Sequence, residues 1–297
     1  MKVLVAGWFS FPEMGATAGD VLVRDVVCGW LTEAGRAYDV AVADPFTDGV
    51  DWQTAEPNHY SDVVFVCGPF GNGWPVPEFL AHFAGRRLIG VNLSMLEPIE
   101  RWNPFDLLLE RDSSRQARPD VSLLAPASRV PVVGVVRAHA QREYRDGLHD
   151  AADRAIERLI ASRPMAAVPI DTRLDVNATG LRSAAEVESL IARMDVVVTT
   201  RLHGLVLAIK NGVPAVAVDP IGGGAKVTRQ ADALGWKAVF AADDLSDADL
   251  ARAFEWALTG PARAAACACR ERSAGVLQEA RHRFLSAFSG SDRAVEI

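Results

Sequence analysis

DVVVTTRLHGLVLAIKNGVPAVAVDP, residues 195–220, decides how this chain folds. The opening run DVVVTT is rich in β-branched residues, as expected of a strand buried on both faces. After Arg201 and His203 the apolar run LVLAI continues as a helix to Asn211-Gly212, a stop signal, and PAVAVDP then reads as a second strand. Strand, helix and strand in this order form a unit of two parallel strands, and ligands of open parallel sheets bind just beyond the carboxyl ends of the strands. Arg201 and His203 follow such an end, in a chain with only 6 His.

The same alternation runs outward in both directions. Upstream, PVVGVVR (131–137), HDAADRAIERLIAS (149–162), MAAVPID (165–171) and AAEVESLIARM (184–194) read as strand, helix, strand, helix. Downstream, AKVTRQADALG (225–235) is a helix and KAVF (237–240) a strand, and the tail from Asp247 to Phe288 reads as one or two helices. Near the N-terminus KVLVAGWF, DVLVRDVVCGWLTEAG and YDVAVADP repeat the motif, and VVFVCGPF, RRLIGVNLS and FDLLLERD add strands. Residues 115–131, rich in Pro, Ser and Arg, break the rhythm and are expected to be a linker. The expectation is an α/β protein of two Rossmann-like, doubly wound parallel-sheet domains facing a cleft, residues 1–118 and 119–297, the second ending in the C-terminal helices.

Composition fits this. The 297 residues are 49% hydrophobic and 23% charged, enough for two cores. A net charge of −7 offers no general attraction to nucleic acid. No apolar stretch reaches the roughly 20 residues that span a bilayer, and the N-terminus lacks a signal-peptide pattern. A cytoplasmic protein is expected, not integral to a membrane. The 4 Cys, among them the Cys267/Cys269 pair with only His282 near it, read as reduced thiols, with no metal site.

The polar residues that follow strands are the candidates for chemistry. His203 falls in the first turn of a helix, where free amides favour an anion and a neutral imidazole able to accept a proton. It is either a catalytic group or a residue that caps the turn. Arg201 adds a fixed cation, and Thr200 stands beside it. Gly222, Gly223 and Gly224 precede a helix that opens with Lys226, so backbone amides, helix start and ammonium could cradle a phosphate, although turns use glycine anyway. Without a Walker pattern ATP is not implied. Arg137 ends the first strand of the second domain and is either a solvated residue or the partner of Arg201 in a bidentate clamp. In the first domain no G-x-G-x-x-G follows the opening strand, so no nicotinamide fingerprint is present. Asp20, after Gly19, can cap the first helix. Trp74 lies on a glycine-rich loop, as a stacking surface for a sugar or as a buried anchor.

The run from Asp195 to Trp236, with R-L-H, G-x-P and a downstream Lys, resembles the polysaccharide pyruvyl transferase family. The loop ending in Gly19-Asp20 looks like that family's G-D loop, and ERDSS (110–114) looks like its R-D-x-S segment. The opening loop lacks the family's Asn before G-D, and the insert PIGGGA stretches the spacing from Asp to Lys. The resemblance implies a two-domain fold of the GT-B glycosyltransferase type, with acceptor on the N-terminal side and donor on the C-terminal side. It implies transfer of the pyruvyl unit of phosphoenolpyruvate onto sugar hydroxyls of a polysaccharide or glycolipid precursor, giving a ketal and phosphate. On that basis Arg201, Arg137 and Lys226 hold the donor's anions and His203 moves a proton. No cofactor is expected beyond this donor substrate, and the partners are a glycan acceptor and peripheral contact with a lipid-linked glycan. Two rivals stand beside it, a glycosyltransferase using a nucleotide sugar and a catalytically silent glycan-binding protein.

Overall fold

The computed structural model describes residues 1–12, 14–139 and 147–288. It divides into two compact units, one ending at Ser128 and one beginning at Arg129.

The first unit contains β1 (Lys2–Gly7), α1 (Ala18–Glu33), β2 (Tyr38–Val40), β3 (Tyr60–Val66), β4 (Pro69–Phe70), α2 (Val76–His82), β5 (Arg87–Val91), β6 (Ser94–Met95) and β7 (Leu107–Leu109). Its main sheet has the order β2-β1-β3-β5-β7, all parallel, and β4 pairs with β6 apart from it. The second unit contains β8 (Val132–Val136), α3 (His149–Ala161), β9 (Ala166–Pro169), α4 (Ala184–Ile191), β10 (Val196–Thr199), α5 (Leu202–Lys210), β11 (Ala215–Asp219), α6 (Lys226–Leu234), β12 (Val239–Ala241), α7 (Asp247–Ala257) and α8 (Gly260–Phe288). Its sheet has the order β9-β8-β10-β11-β12, again parallel throughout. Each unit therefore follows the 2-1-3-4-5 pattern, and each has its topological switch point between its first and third strands of the sheet.

The alternation of side chains along a strand explains the two-faced burial. In β11, Ala215 and Ala217 pack into a core with α5 and α6, whereas Val216 and Val218 pack into the opposite core with α3 and α7. In β1, Leu4 and Ala6 enter one core and Val3 and Val5 the other. Helix α5 meets the sheet through Leu205, Ala208 and Ile209, at the i, i+3, i+4 spacing of a helix face.

Two expectations change. The stretch taken as a linker, residues 115–131, belongs largely to the first unit. Asp120 bonds Arg111 (3.0 Å) and Asn92 (3.1 Å), and the Val121 N–H donates to Asn92 Oδ1 at 3.0 Å, so the chain stays anchored until Ser128 rather than leaving after residue 118. Helix α2 was not foreseen. Its seven residues, opened by Pro75 and Pro77, are too few to display a helical period.

Candidate functional site

A cavity of about 570 Å³ opens at the switch point of the second unit, a volume in the range of small-ligand sites. Its walls come from the chain after β8 (Ala138, His139), after β10 (Thr200, Arg201, Leu202, His203), after β11 (Asp219, Pro220, Ile221), and from the starts of α3 (His149) and α6 (Lys226, Val227), with Arg173. Thr200, Arg201, His203 and Lys226, selected separately in the sequence, thus converge on one cavity.

Local sequence sets this arrangement. The Thr199 hydroxyl donates to the Val136 carbonyl (2.9 Å), while its oxygen accepts the Arg201 N–H (2.9 Å). The Thr200 oxygen accepts the Ala138 N–H at 2.7 Å, and the Thr200 N–H donates to the Val136 carbonyl at 3.0 Å. The two threonines so clip together the chain ends that leave β8 and β10. The glycine of R-L-H-G has a steric reason. A Cβ on Gly204 would lie 2.2 Å from Thr199 Oγ1 and 3.0 Å from Val136 Cβ. Only glycine lets the first turn of α5 sit this close to the strands, with Arg201 as N-cap and His203 exposed at the cavity.

The Arg201 side chain is 21% exposed. Among the described residues its Nη1 is buried without a hydrogen-bond partner, and the carboxylate oxygen Asp171 Oδ1 is 3.7 Å away. Burial pulls the guanidinium below its ordinary pKa, with the Asp171 charge pulling against it, and an arginine still carries its proton under these conditions. Asp171, itself buried, accepts the N–H groups of Arg173 (2.9 Å) and Ala178 (3.2 Å) and pairs with His139 Nε2 at 3.3 Å. Burial works to raise the Asp171 pKa, but these hydrogen bonds outweigh it and hold the carboxyl below the usual range. The cavity wall thus carries three imidazoles, His203 on α5, His149 at the start of α3 and His139 braced by a buried carboxylate.

Two expectations need correction, and the helix-capping reading of Asp20 is borne out, with Thr17 as the N-cap. Arg137 does not join Arg201. It bonds Glu157 at 3.1 Å and lies 3.9 Å from Asp153, both on α3, and it lines a neighbouring cavity of about 520 Å³. Strand parity is the reason. Val133 and Val135 face the α3 core and Val136 the other, so the next residue points to α3 again. Gly222, Gly223 and Gly224 do not form an open phosphate cradle. The Gly223 N–H donates to Asp243 (2.7 Å) and the Gly224 N–H to the Ile221 carbonyl (2.9 Å). The Ala225 and Thr228 N–H groups both donate to Asp219 Oδ2 (2.7 and 2.9 Å). The fully buried Asp219 carboxylate already occupies the helix start as its anion. Gly223 and Gly224 instead serve the turn, with φ of 73° and 77°. Asp20, finally, is committed to a capping box. Thr17 is the N-cap of α1, and its N–H and hydroxyl donate to Asp20 Oδ2 at 2.6 and 2.8 Å. Gly19 lies in that same first turn, with room for a side chain, since a Cβ there would meet only Thr17 Oγ1 at 3.5 Å.

Trp74 is 60% exposed on its loop in the first unit. In ERDSS, Arg111 bonds Asp112, Asp120 and Ser94. Among the described residues no group of three or more His, Cys, Asp or Glu side chains is placed to hold a metal ion. Asp171, Asp219, His149 and Arg173 escaped the sequence selection. Asp171 and Asp219 end the runs MAAVPID and AVAVDP, so the rule that picked Arg201 also pointed to them.

Among solved structures the chain aligns with the spinosyn forosaminyltransferase SpnP at 15% identity, covering 91% of this chain and 94% of that one, with a TM-score of 0.34. It aligns with the glycosyltransferase of kitacinnamycin at 12% identity (93% and 97% covered, TM-score 0.33) and with Acinetobacter baumannii MurG at 10% (91% and 95%, TM-score 0.33). No curated protein matches the chain. The polysaccharide pyruvyl transferase family model matches residues 107–220, from β7 to just past β11, a stretch that includes the chain after β8 and the whole of R-L-H-G.

Proposed function

We propose that this protein transfers the pyruvyl unit of phosphoenolpyruvate onto two hydroxyls of a glycan, releasing phosphate. The observation that carries the proposal is Arg201, whose buried Nη1 has no hydrogen-bond partner among the described residues, in the lining of the cavity that also holds His203 and Lys226. An unpaired buried N–H of a cation is a site for an anionic oxygen. Phosphoenolpyruvate has a carboxylate and a phosphate to offer, for Arg201 and Lys226. In the reaction one acceptor oxygen bonds to C2, the C2–O bond to phosphate breaks, and the second acceptor oxygen bonds to C2. Of the two hydroxyl protons released, one ends on C3, which becomes a methyl group, and the other leaves with phosphate. His203 is the proton-transfer group at the cavity, and the exposed Trp74 of the first unit is a stacking surface for the acceptor sugar.

The nucleotide-sugar alternative needs the glycine-loop amides for a diphosphate. Those of Gly223, Gly224 and Ala225 already donate within the protein, which favours the smaller donor. Thermal unfolding with phosphoenolpyruvate, with uridine or thymidine diphosphate, and with neither separates the readings. Stabilisation by phosphoenolpyruvate, followed by glycan-dependent phosphate release, is expected. Stabilisation by a nucleoside diphosphate and not by phosphoenolpyruvate would replace this function with the glycosyltransferase.

A further inference from the structure

The last helix, α8, consists of two different halves. Ala262, Ala266 and Cys269 bury its first half, with Ala266 and Cys269 in the core that holds α5 and α6. From Ala274 onward every residue to Phe288 is exposed. Five large apolar side chains stand in this exposed half: Val276 (73% exposed), Leu277 (63%), Phe284 (64%), Leu285 (46%) and Phe288 (67%). At 100° per residue Val276, Leu277, Phe284 and Phe288, with Ala280 and Ala287, fall within an arc of ~120°, Arg281 and Arg283 fall just outside its two edges, and Leu285 lies beyond Arg281. Gln278, Glu279, His282 and Ser286 cover the opposite side. The apolar stripe borders a groove of about 640 Å³ lined by Val276 and Leu277 together with Val206, Ile209 and Leu234.

A helical segment this short is marginal in water without a partner, and its apolar stripe is covered by nothing among the described residues. Charge selects the partner. The whole chain carries −7, yet the charged residues between Val276 and Phe288 are Glu279, Arg281 and Arg283. Two copies facing each other would bring four arginines together against two glutamates. An apolar stripe bordered on both edges by arginines instead suits an anionic lipid surface, with the rings among the acyl chains and the guanidinium groups at the phosphates. No described helix is long and apolar enough to cross a membrane, so the contact lies in the membrane plane. We propose that the exposed half of α8 docks this protein on anionic lipid. The proposal does not depend on which transfer reaction the cavity performs.

Co-sedimentation of the full chain with vesicles tests it, using phosphatidylcholine alone and phosphatidylcholine mixed with phosphatidylglycerol. Binding to the mixed vesicles is expected, weakening as salt rises. Phe284→Ser with Phe288→Ser lowers the partition by roughly a hundredfold, given what two buried phenylalanines contribute. Arg281→Ala with Arg283→Ala lowers it by roughly 30-fold. Gln278→Ala with Ser286→Ala, on the far side, leaves it unchanged. All these positions are exposed, so equal melting temperatures across the set rule out misfolding as the cause. Absence of vesicle binding, binding that ignores the phenylalanine pair, or a dimer in analytical ultracentrifugation that Phe284→Ser dissolves would each overturn the proposal.

Discussion

Arg201→Lys separates a donor-binding arginine from a structural one. Nη1 of Arg201 is buried with no hydrogen-bond partner among the described residues, and the Asp171 carboxylate is 3.7 Å away. A buried N–H left in this state costs about 1–3 kcal/mol, which an arriving anionic oxygen returns as a charge-assisted bond. Lysine keeps the charge but presents a point instead of a planar fork, so it loses the second contact. The expected loss of phosphoenolpyruvate affinity is about 2 kcal/mol, on the order of 30-fold in Kd. Stability of the unliganded protein moves little, because no hydrogen bond from Nη1 is lost and Asp171 keeps its bonds to Arg173, Ala178 and His139. Isothermal titration at fixed ionic strength reads the first quantity and urea unfolding the second. An unchanged Kd refutes the donor role. A weaker Kd accompanied by an equal loss of unliganded stability refutes it too, since Arg201 would then be holding the fold.

His203→Gln keeps similar reach and hydrogen bonding but cannot exchange a proton near pH 7, so phosphate release should fall by about 10²-fold to 10⁴-fold while phosphoenolpyruvate still raises the melting temperature. An unchanged rate removes His203 from the reaction. Gly204→Ala puts a methyl group 2.2 Å from Thr199 Oγ1 and should destabilise the protein by about 1–3 kcal/mol, read as a lower urea midpoint; an unaltered midpoint means α5 is not tightly seated. Burial pushes the Asp120 carboxyl upward, but bonds from the Ser122 N–H, Asn92 and Arg111 prevail and bring its pKa down to about 2. A carboxyl depressed in the folded state stabilises it above the unfolded pKa of about 4, and that stabilisation is lost as pH falls from there through about 2. Asp120→Asn should therefore flatten the stability profile in that acid window, and an identical slope in variant and parent counts against the Asp120 cluster.

Runs such as KVLVAG in the first unit and DVVVTT in the second were enough to announce two parallel α/β units, because a strand covered by helices on both faces must be apolar at nearly every position. The same runs identified Thr200, Arg201 and His203, since the chain after a parallel strand has to emerge at the ligand-binding edge of the sheet. Lys226 was equally legible from the helix start that follows the next strand. What the tertiary structure decided was where each polar group finds its partner. Arg137 follows β8 just as Arg201 follows β10, yet strand parity turns it to Asp153 and Glu157 on α3. The glycine loop before Lys226 looks open in sequence, but Asp219 and Asp243 fold back onto its amides and onto the start of α6. Asp171 meets Arg201 and His139 only when β9, β10 and β8 stand side by side. Periodicity is a property of neighbours along the chain and reports which face is buried. Hydrogen bonds and ion pairs form between groups far apart in sequence, and only the assembled sheet brings a given carboxylate within reach of a given donor.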